Sequence, residues 1–161
     1  MSDRMPNAEQ MEYLVEKYSA LLYRHSYAML HNEEDAQDMV QETYLRYMRT
    51  APRLQDDEHE KAWLLTVAMN LCRNHLRHRR AHSTVPLEEI PLSAPPPEDT
   101  PVLDRLMRLP DKVRMVLLLH YVEGYKVREI AARLHLHPST VKMRLQKGRN
   151  LLREHIKEDS E

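Results

Sequence analysis

Six prolines, at positions 86, 91, 95, 96, 97 and 101, crowd the stretch VPLEEIPLSAPPPEDTP. A proline has no N–H to give and its ring clashes with the preceding turn of a helix, so neither a helix nor a central strand can run through this stretch. Residues 81–101 also hold four acids and no Lys or Arg. The chain of 161 residues is therefore expected to consist of a helical piece over 1–81, an extended acidic linker over 82–101 and a second helical piece over 102–161. Each piece is at the small end of what folds alone.

The residues available to those pieces are helix formers. The chain has only two glycines and no phenylalanine, which leaves little from which to build tight hairpins. We expect an all-α protein of two small domains. No apolar run approaches the roughly 18–20 residues of a membrane span, and MSDRMPNAEQ lacks the basic-then-apolar layout of a secretory signal. The single cysteine, Cys72, excludes an internal disulfide and a cysteine-cluster zinc site. The expectation is a cytoplasmic protein with no direct membrane insertion.

In the first piece Met11, Leu14, Tyr18, Leu21 and Leu22 follow the spacing of one helix face. HNEEDAQ then interrupts the pattern with an asparagine and acids suited to a helix start. A second helix is expected from about 33 to 49, with Ala36, Val40, Thr43 and Tyr47 inward, stopping before Pro52. After the loop APRLQDDEHE comes a third, EKAWLLTVAMNLCRNHLRHRR, with Trp63, Leu64, Val67, Leu71 and Cys72 inward. In the second piece Leu103, Leu106 and Met107 suggest a short helix, and DKVRMVLLLHYVEG one that ends at Gly124.

Two further helices, about 126–134 and 138–156, are separated by only His135, Leu136 and His137. Helices joined so closely are the helix-turn-helix layout, whose second helix enters the DNA major groove. Pro138 suits the first position of that helix, where its missing N–H has no partner to lose. Val141, Leu145, Gly148 and Leu152 repeat at helical spacing and face Ile130, Ala131 and Leu134. Ser139, Thr140, Lys142, Met143, Gln146 and Lys147 are left outward, able to reach base edges, with Arg144, Arg149 and Arg153 for flanking phosphates. A run of cations can also be a solvated surface. Residues 124–153, however, hold eight Lys/Arg and one acid, Glu129, whereas ordinary surface helices mix both signs.

The overall formal charge of −1 conceals this segregation. Residues 1–60 carry 6 basic and 13 acidic side chains, residues 61–80 carry 5 and none, and residues 102–161 carry 13 and 8. Two basic segments thus offer two places for a polyanion, and the acidic first block suits a basic protein surface.

Taken together, the segments DAQDMVQETYLRYMR (35–49), KAWLLTVAMNLCRNHLRHRR (61–80) and LPDKVRMVLLLHYVEGYKVREIAARLHLHPSTVKMRLQKGRNLLRE (109–154) resemble the extracytoplasmic-function (ECF) sigma factors of bacterial RNA polymerase, in that family's order and over nearly the whole chain. The resemblance implies a promoter-specificity subunit serving a stress or envelope regulon. Its partners would be core polymerase, through the largest and second-largest catalytic subunits, promoter DNA as duplex and melted strand, and an anti-sigma factor. Asp35, Asp38, Gln41 and Glu42 would dock on a coiled coil of the largest subunit. A melted minus-ten strand would lie between the loop with Arg53, Leu54, Gln55 and Asp56 and a face with Asn70, Arg73, Asn74 and Arg77. The minus-thirty-five duplex would be read by Ser139, Thr140, Lys142, Met143, Arg144, Gln146, Lys147 and Arg149, chiefly through Lys142, Met143, Gln146 and Lys147. The linker would run through the polymerase's channels, its acids standing in for RNA. His135, His137, Ser139 and Asn74 depart from the usual residues, which bears on the promoter sequence and not on the class.

No cofactor and no enzymatic activity are expected: the chain has no Gly-rich phosphate loop, no HExxH and no nucleophile elbow. Cys72, His75, His78 and His82 cannot converge on one ion from a straight helix, so no metal is expected. The competing reading is a stand-alone helix-turn-helix regulator that binds duplex DNA without polymerase.

Overall fold

The computed structural model describes residues 5–82 and 105–160. The linker and its expected path fall largely outside these residues, as does Leu103. All regular elements among the described residues are helical, and the chain divides into two compact units within residues 1–93 and 94–161. The first unit holds α1 (Ala8–Leu30), α2 (Glu33–Thr50) and α3 (Asp57–His82). The second holds α4 (Asp111–Leu117), which runs on into a π-helical turn (Leu118–Val122), then α5 (Val127–Leu134) and α6 (Pro138–Ser160).

The helices start where side chains can take up orphan backbone donors. Asn7 and Gln10 form a reciprocal box: the Gln10 N–H donates to Asn7 Oδ1 at 2.8 Å, and the Asn7 N–H to Gln10 Oε1 at 3.0 Å. Asn32 Oδ1 caps α2 by accepting from the Asp35 N–H at 2.9 Å. Three helices end in left-handed backbone, at His31, Ala51 and His135, without a glycine at any of them. The cap N–H of each then returns to a carbonyl of the last turn.

In the first unit α1 buries Leu14, Tyr18, Leu22, Tyr27 and Met29, and α2 buries Ala36, Val40, Thr43 and Tyr44. α3 contributes Ala62, Leu64, Leu65, Ala68, Met69, Leu71 and Cys72. Each large side chain so covered contributes about 1.5–3 kcal/mol of hydrophobic stabilisation. Two sequence expectations shift. Tyr44, not Tyr47, is the buried tyrosine of α2, and Trp63 and Val67 are only half-covered while Leu65, Ala68 and Met69 are fully enclosed. Trp63 instead sets its ring edge-on to Tyr47, with centroids 5.5 Å apart.

Tyrosine in place of phenylalanine requires partners for the buried hydroxyls. Tyr44 Oη shares a hydrogen bond with Ser19 Oγ at 2.8 Å, and Tyr18 Oη donates to the Asp57 carbonyl at 3.3 Å. Burial, with Glu60 adding to it, pushes the Tyr18 phenol up to about 12.

In the second unit Val113, Met115, Val116 and Leu117 of α4 are buried where α4 packs on α6, whose inner side is Val141, Leu145 and Gly148, while α5 buries Ile130, Ala131 and Leu134 and packs on α6 and on the π-helical turn. Gly148 is a steric necessity: a Cβ there would lie 2.6 Å from Leu117 Cδ1 and 2.9 Å from Val113 Cγ1. Arg114 is buried, and its Nη1 donates to the Leu109 carbonyl at 2.8 Å and, at 3.4 Å, to that of Leu106. It thereby satisfies carbonyls where the chain leaves the helical turn at 105–107.

Candidate nucleic-acid and partner interfaces

α5 and α6 form the helix-turn-helix. His135 takes the left-handed conformation (φ 56°) that the turn requires, and Leu136 N–H donates back to the Ala131 carbonyl at 2.9 Å. Glycine is the usual residue there, and a histidine adopts the same backbone at a steric cost. The ring of His137 then begins α6, its Nδ1 accepting from the Ser139 N–H at 3.2 Å. Glu129, the one acid in this basic stretch, is used at the start of α5, where its Oε1 accepts the Lys126 N–H at 3.1 Å.

With Val141, Leu145 and Gly148 buried, α6 presents Ser139, Lys142, Met143, Gln146 and Lys147 to solvent and Thr140 half-covered. Met143 is 64% exposed. A large apolar side chain left so open among cations is suited to a thymine methyl or a base edge. The arginines divide. Arg153 is exposed, while Arg144 is half-buried with one terminal nitrogen shut off from solvent. Arg149 is held: Nη1 donates to Tyr121 Oη and Nη2 to Gln146 Oε1, both at 2.8 Å.

On α2 the four expected docking residues separate. Asp38 and Gln41 are exposed. Glu42 lies 3.7 Å from both Arg46 Nε and Arg49 Nη1. Asp35 faces α3, its Oδ2 lying 3.2 Å from His75 Nε2 and 3.8 Å from Arg79 Nη1. Sequence reasoning missed Leu45, which is 44% exposed and continues the Asp38–Gln41 stripe at helical spacing. Its signal was an apolar residue in phase with two outward polar ones.

On α3, Asn70, Arg73, Asn74 and Arg77 share one face, the first two half-covered and the last two exposed. Arg53 and Gln55 of the preceding loop are exposed and Leu54 is half-covered. Asp56 is the N-terminal cap of α3. Its Oδ1 accepts the His59 N–H at 2.9 Å and lies 2.7 Å from His59 Nδ1. That cap is why α3 begins at Asp57, three residues earlier than expected, and the backbone hydrogen bond from His59 holds the Asp56 carboxyl below the usual range. Loop and face are not adjacent: 13 residues of helix separate Asp57 from Asn70, about 20 Å of rise. His75 is turned toward Asp35, and Cys72 is fully buried in the core.

Residues 14–82 match the family description Sigma-70 region 2, and residues 100–152 match Sigma-70, region 4. The chain belongs to the sigma-70 family. It is similar to the RNA polymerase sigma factor CarQ of Myxococcus xanthus, 32% identical over 134 residues that cover 78% of this chain and 77% of CarQ. It is also similar to the ECF sigma factor SigL of Mycobacterium tuberculosis, 30% identical over 156 residues that cover 91% and 88%. These relatives place it among the ECF sigma factors, as a promoter-specificity subunit of RNA polymerase. The family's part in initiation is specificity, not catalysis. A stand-alone regulator is not favoured, since the first unit is itself a sigma region. The fold matches that of the sigma factor RpoE crystallised with the anti-sigma factor NepR from Bartonella quintana, with a TM-score of 0.75, 20% identity and coverage of 93% of this chain and 98% of that one.

Proposed function

We propose that the two units divide promoter recognition between them, α6 reading the minus-thirty-five duplex and α3 with its preceding loop holding the melted minus-ten strand. The observation that carries this reading is the outward face of α6, where Lys142, Met143 and Lys147 stand exposed opposite a fully buried seam. On α3, Asn70 and Asn74 supply amides for unstacked bases, and Arg73 and Arg77 supply guanidinium groups for stacking or phosphate. Of the loop, Arg53, Leu54 and Gln55 are left for the strand, since Asp56 is engaged as a cap.

The docking face for core polymerase is the stripe Asp38, Gln41 and Leu45, with Glu42 at its border and Asp35 excluded by its contact with α3. Carboxylates flanking an apolar side chain suit a coiled coil that presents Arg or Lys. Among the described residues no helix is long and apolar enough to cross a membrane, and we place the protein in the cytoplasm with polymerase. By likeness to RpoE with NepR, an anti-sigma factor holds it inactive until a stress or envelope signal releases it.

Gel filtration with core polymerase tests the docking face. The native chain co-elutes, and an Asp38→Arg/Leu45→Asp variant does not. Co-elution of that variant to the same extent would remove α2 from the interface.

A further inference from the structure

The π-helical turn after α4 stands out among the otherwise regular helices of the described residues. Its widened ladder is seen in Glu123 N–H donating to the Leu118 carbonyl at 3.2 Å and Tyr125 N–H to that of Leu119 at 3.0 Å. His120 steadies it, its Nδ1 lying 2.8 Å from the Tyr125 carbonyl, and sets its ring edge-on to Tyr121 at 4.8 Å. Such turns are frequent at functional sites, and the extra residue in the turn shifts the direction of the side chains beside it. Here the re-aimed residue is Tyr121, which is 56% exposed and contributes its hydroxyl to α6 rather than its ring to a core.

The hydroxyl begins a chain of bonds. Tyr121 Oη accepts from Arg149 Nη1 at 2.8 Å, Arg149 Nη2 donates to Gln146 Oε1 at 2.8 Å, and Gln146 Nε2 donates to Asn150 Oδ1 at 3.3 Å. A guanidinium has donors and no acceptor, so it can face only the carbonyl end of Gln146. Arg149 therefore decides which way the amide lies. One lone pair on Oε1 and one N–H on Nε2 remain, and they have a fixed order along α6. An acceptor beside a donor is the complement of the adenine edge, N6–H beside N7, in the major groove.

We propose that Tyr121 is a positioning residue for promoter reading: by anchoring Arg149 it locks the Gln146 amide in the orientation that selects adenine at one position of the upstream element. The proposal rests on the reading of α6 as the minus-thirty-five helix. Without the hydroxyl, Arg149 is free to swing to a phosphate and the amide of Gln146 is free to turn over. Its donor end can then meet the acceptors of guanine and its carbonyl the amino group of cytosine. The loss falls on selectivity and not on attraction to DNA.

The test uses holoenzyme reconstituted from the full chain and core polymerase, with promoters in which each upstream base pair is varied through all four choices. Native protein is expected to prefer adenine by about tenfold at the position governed by Gln146, a preference that Tyr121→Phe reduces to about two- or threefold while other positions keep theirs. The slope of log affinity against log salt stays the same or steepens by about one phosphate as Arg149 is released. A merely structural role would move the unfolding temperature instead, which an exposed Tyr→Phe change is expected to leave unaltered. Full discrimination by Tyr121→Phe, with discrimination lost in Gln146→Ala, overturns the relay and leaves α6 as the reader. Full discrimination by Gln146→Ala as well overturns both the relay and the base-reading role of Gln146.

Discussion

Gly148→Ala sets two effects of known sign against each other. Alanine is the better helix former by about 1 kcal/mol, so on propensity alone the substitution stabilises α6. The new methyl, however, would stand 2.6 Å from Leu117 Cδ1, 2.9 Å from Leu117 Cγ and 2.9 Å from Val113 Cγ1, against an ordinary carbon–carbon separation of about 3.5–4.0 Å. Two neighbours on α4 would have to move together, and both Leu117 and Val113 are themselves 3% exposed, with no open side to move into. Overpacking of this kind costs about 1–3 kcal/mol, and with two enclosed neighbours to displace the upper part of that range, about 2–3 kcal/mol, applies, so the net expectation is a loss of about 1–2 kcal/mol after the propensity gain. Amide hydrogen exchange on the intact chain separates the units. Peptides over 111–122 and 141–152 should exchange about 5- to 30-fold faster, while those over 14–82 should not change. Fluorescence of Trp63, the only tryptophan, gives an independent control on the first unit. Trimming Leu117 to alanine should make the double variant lose less than the two single losses added together. Equal or slower exchange in Gly148→Ala would refute the close contact between α4 and α6.

Further expectations follow from single contacts. His135→Gly relieves left-handed backbone and should stabilise the second unit by about 1 kcal/mol, a rise of several degrees in thermal unfolding. Arg114→Met strips the buried donor from the Leu109 carbonyl and should cost about 1–3 kcal/mol, read as faster exchange across α4. The Asp56 carboxyl is held below the usual range by the His59 N–H, so its contribution is complete above an unfolded carboxyl near pH 4 and is lost as pH falls through the lower folded value. Acid unfolding followed by Trp63 fluorescence should therefore be less steep below about pH 4 in Asp56→Asn, which keeps a capping oxygen but does not titrate.

What the sequence makes legible is what depends on local pattern. Prolines between 86 and 101 divide the chain, and the helix-turn-helix follows from a three-residue gap, a proline at the first helical position and a buried seam at Val141, Leu145 and Gly148. What it hides depends on how helices cross. Asp35 reads as one more outward acid of α2, and only the meeting of α2 with α3 brings it to His75 and Arg79. α3 packs against both α1 and α2, so its apolar arc is broad, and choosing Trp63 and Val67 over Leu65, Ala68 and Met69 misjudges its centre. Asp56 reads as a plain loop residue until the His59 N–H is seen to use its carboxylate as the cap of α3. Tyr121 carries no sequence signal, because the π turn that aims it rests on hydrogen bonds rather than on composition.

The central claim, that one chain reads two separate promoter elements on polymerase, is tested most directly by sequencing promoters that the reconstituted holoenzyme selects from a randomised library. The native chain should enrich two blocks of sequence. Lys142→Ala/Gln146→Ala should erase only the upstream block, and Asn70→Ala/Asn74→Ala only the downstream one. A single block that survives the α3 substitutions, or the same enrichment without core polymerase, would contradict the account.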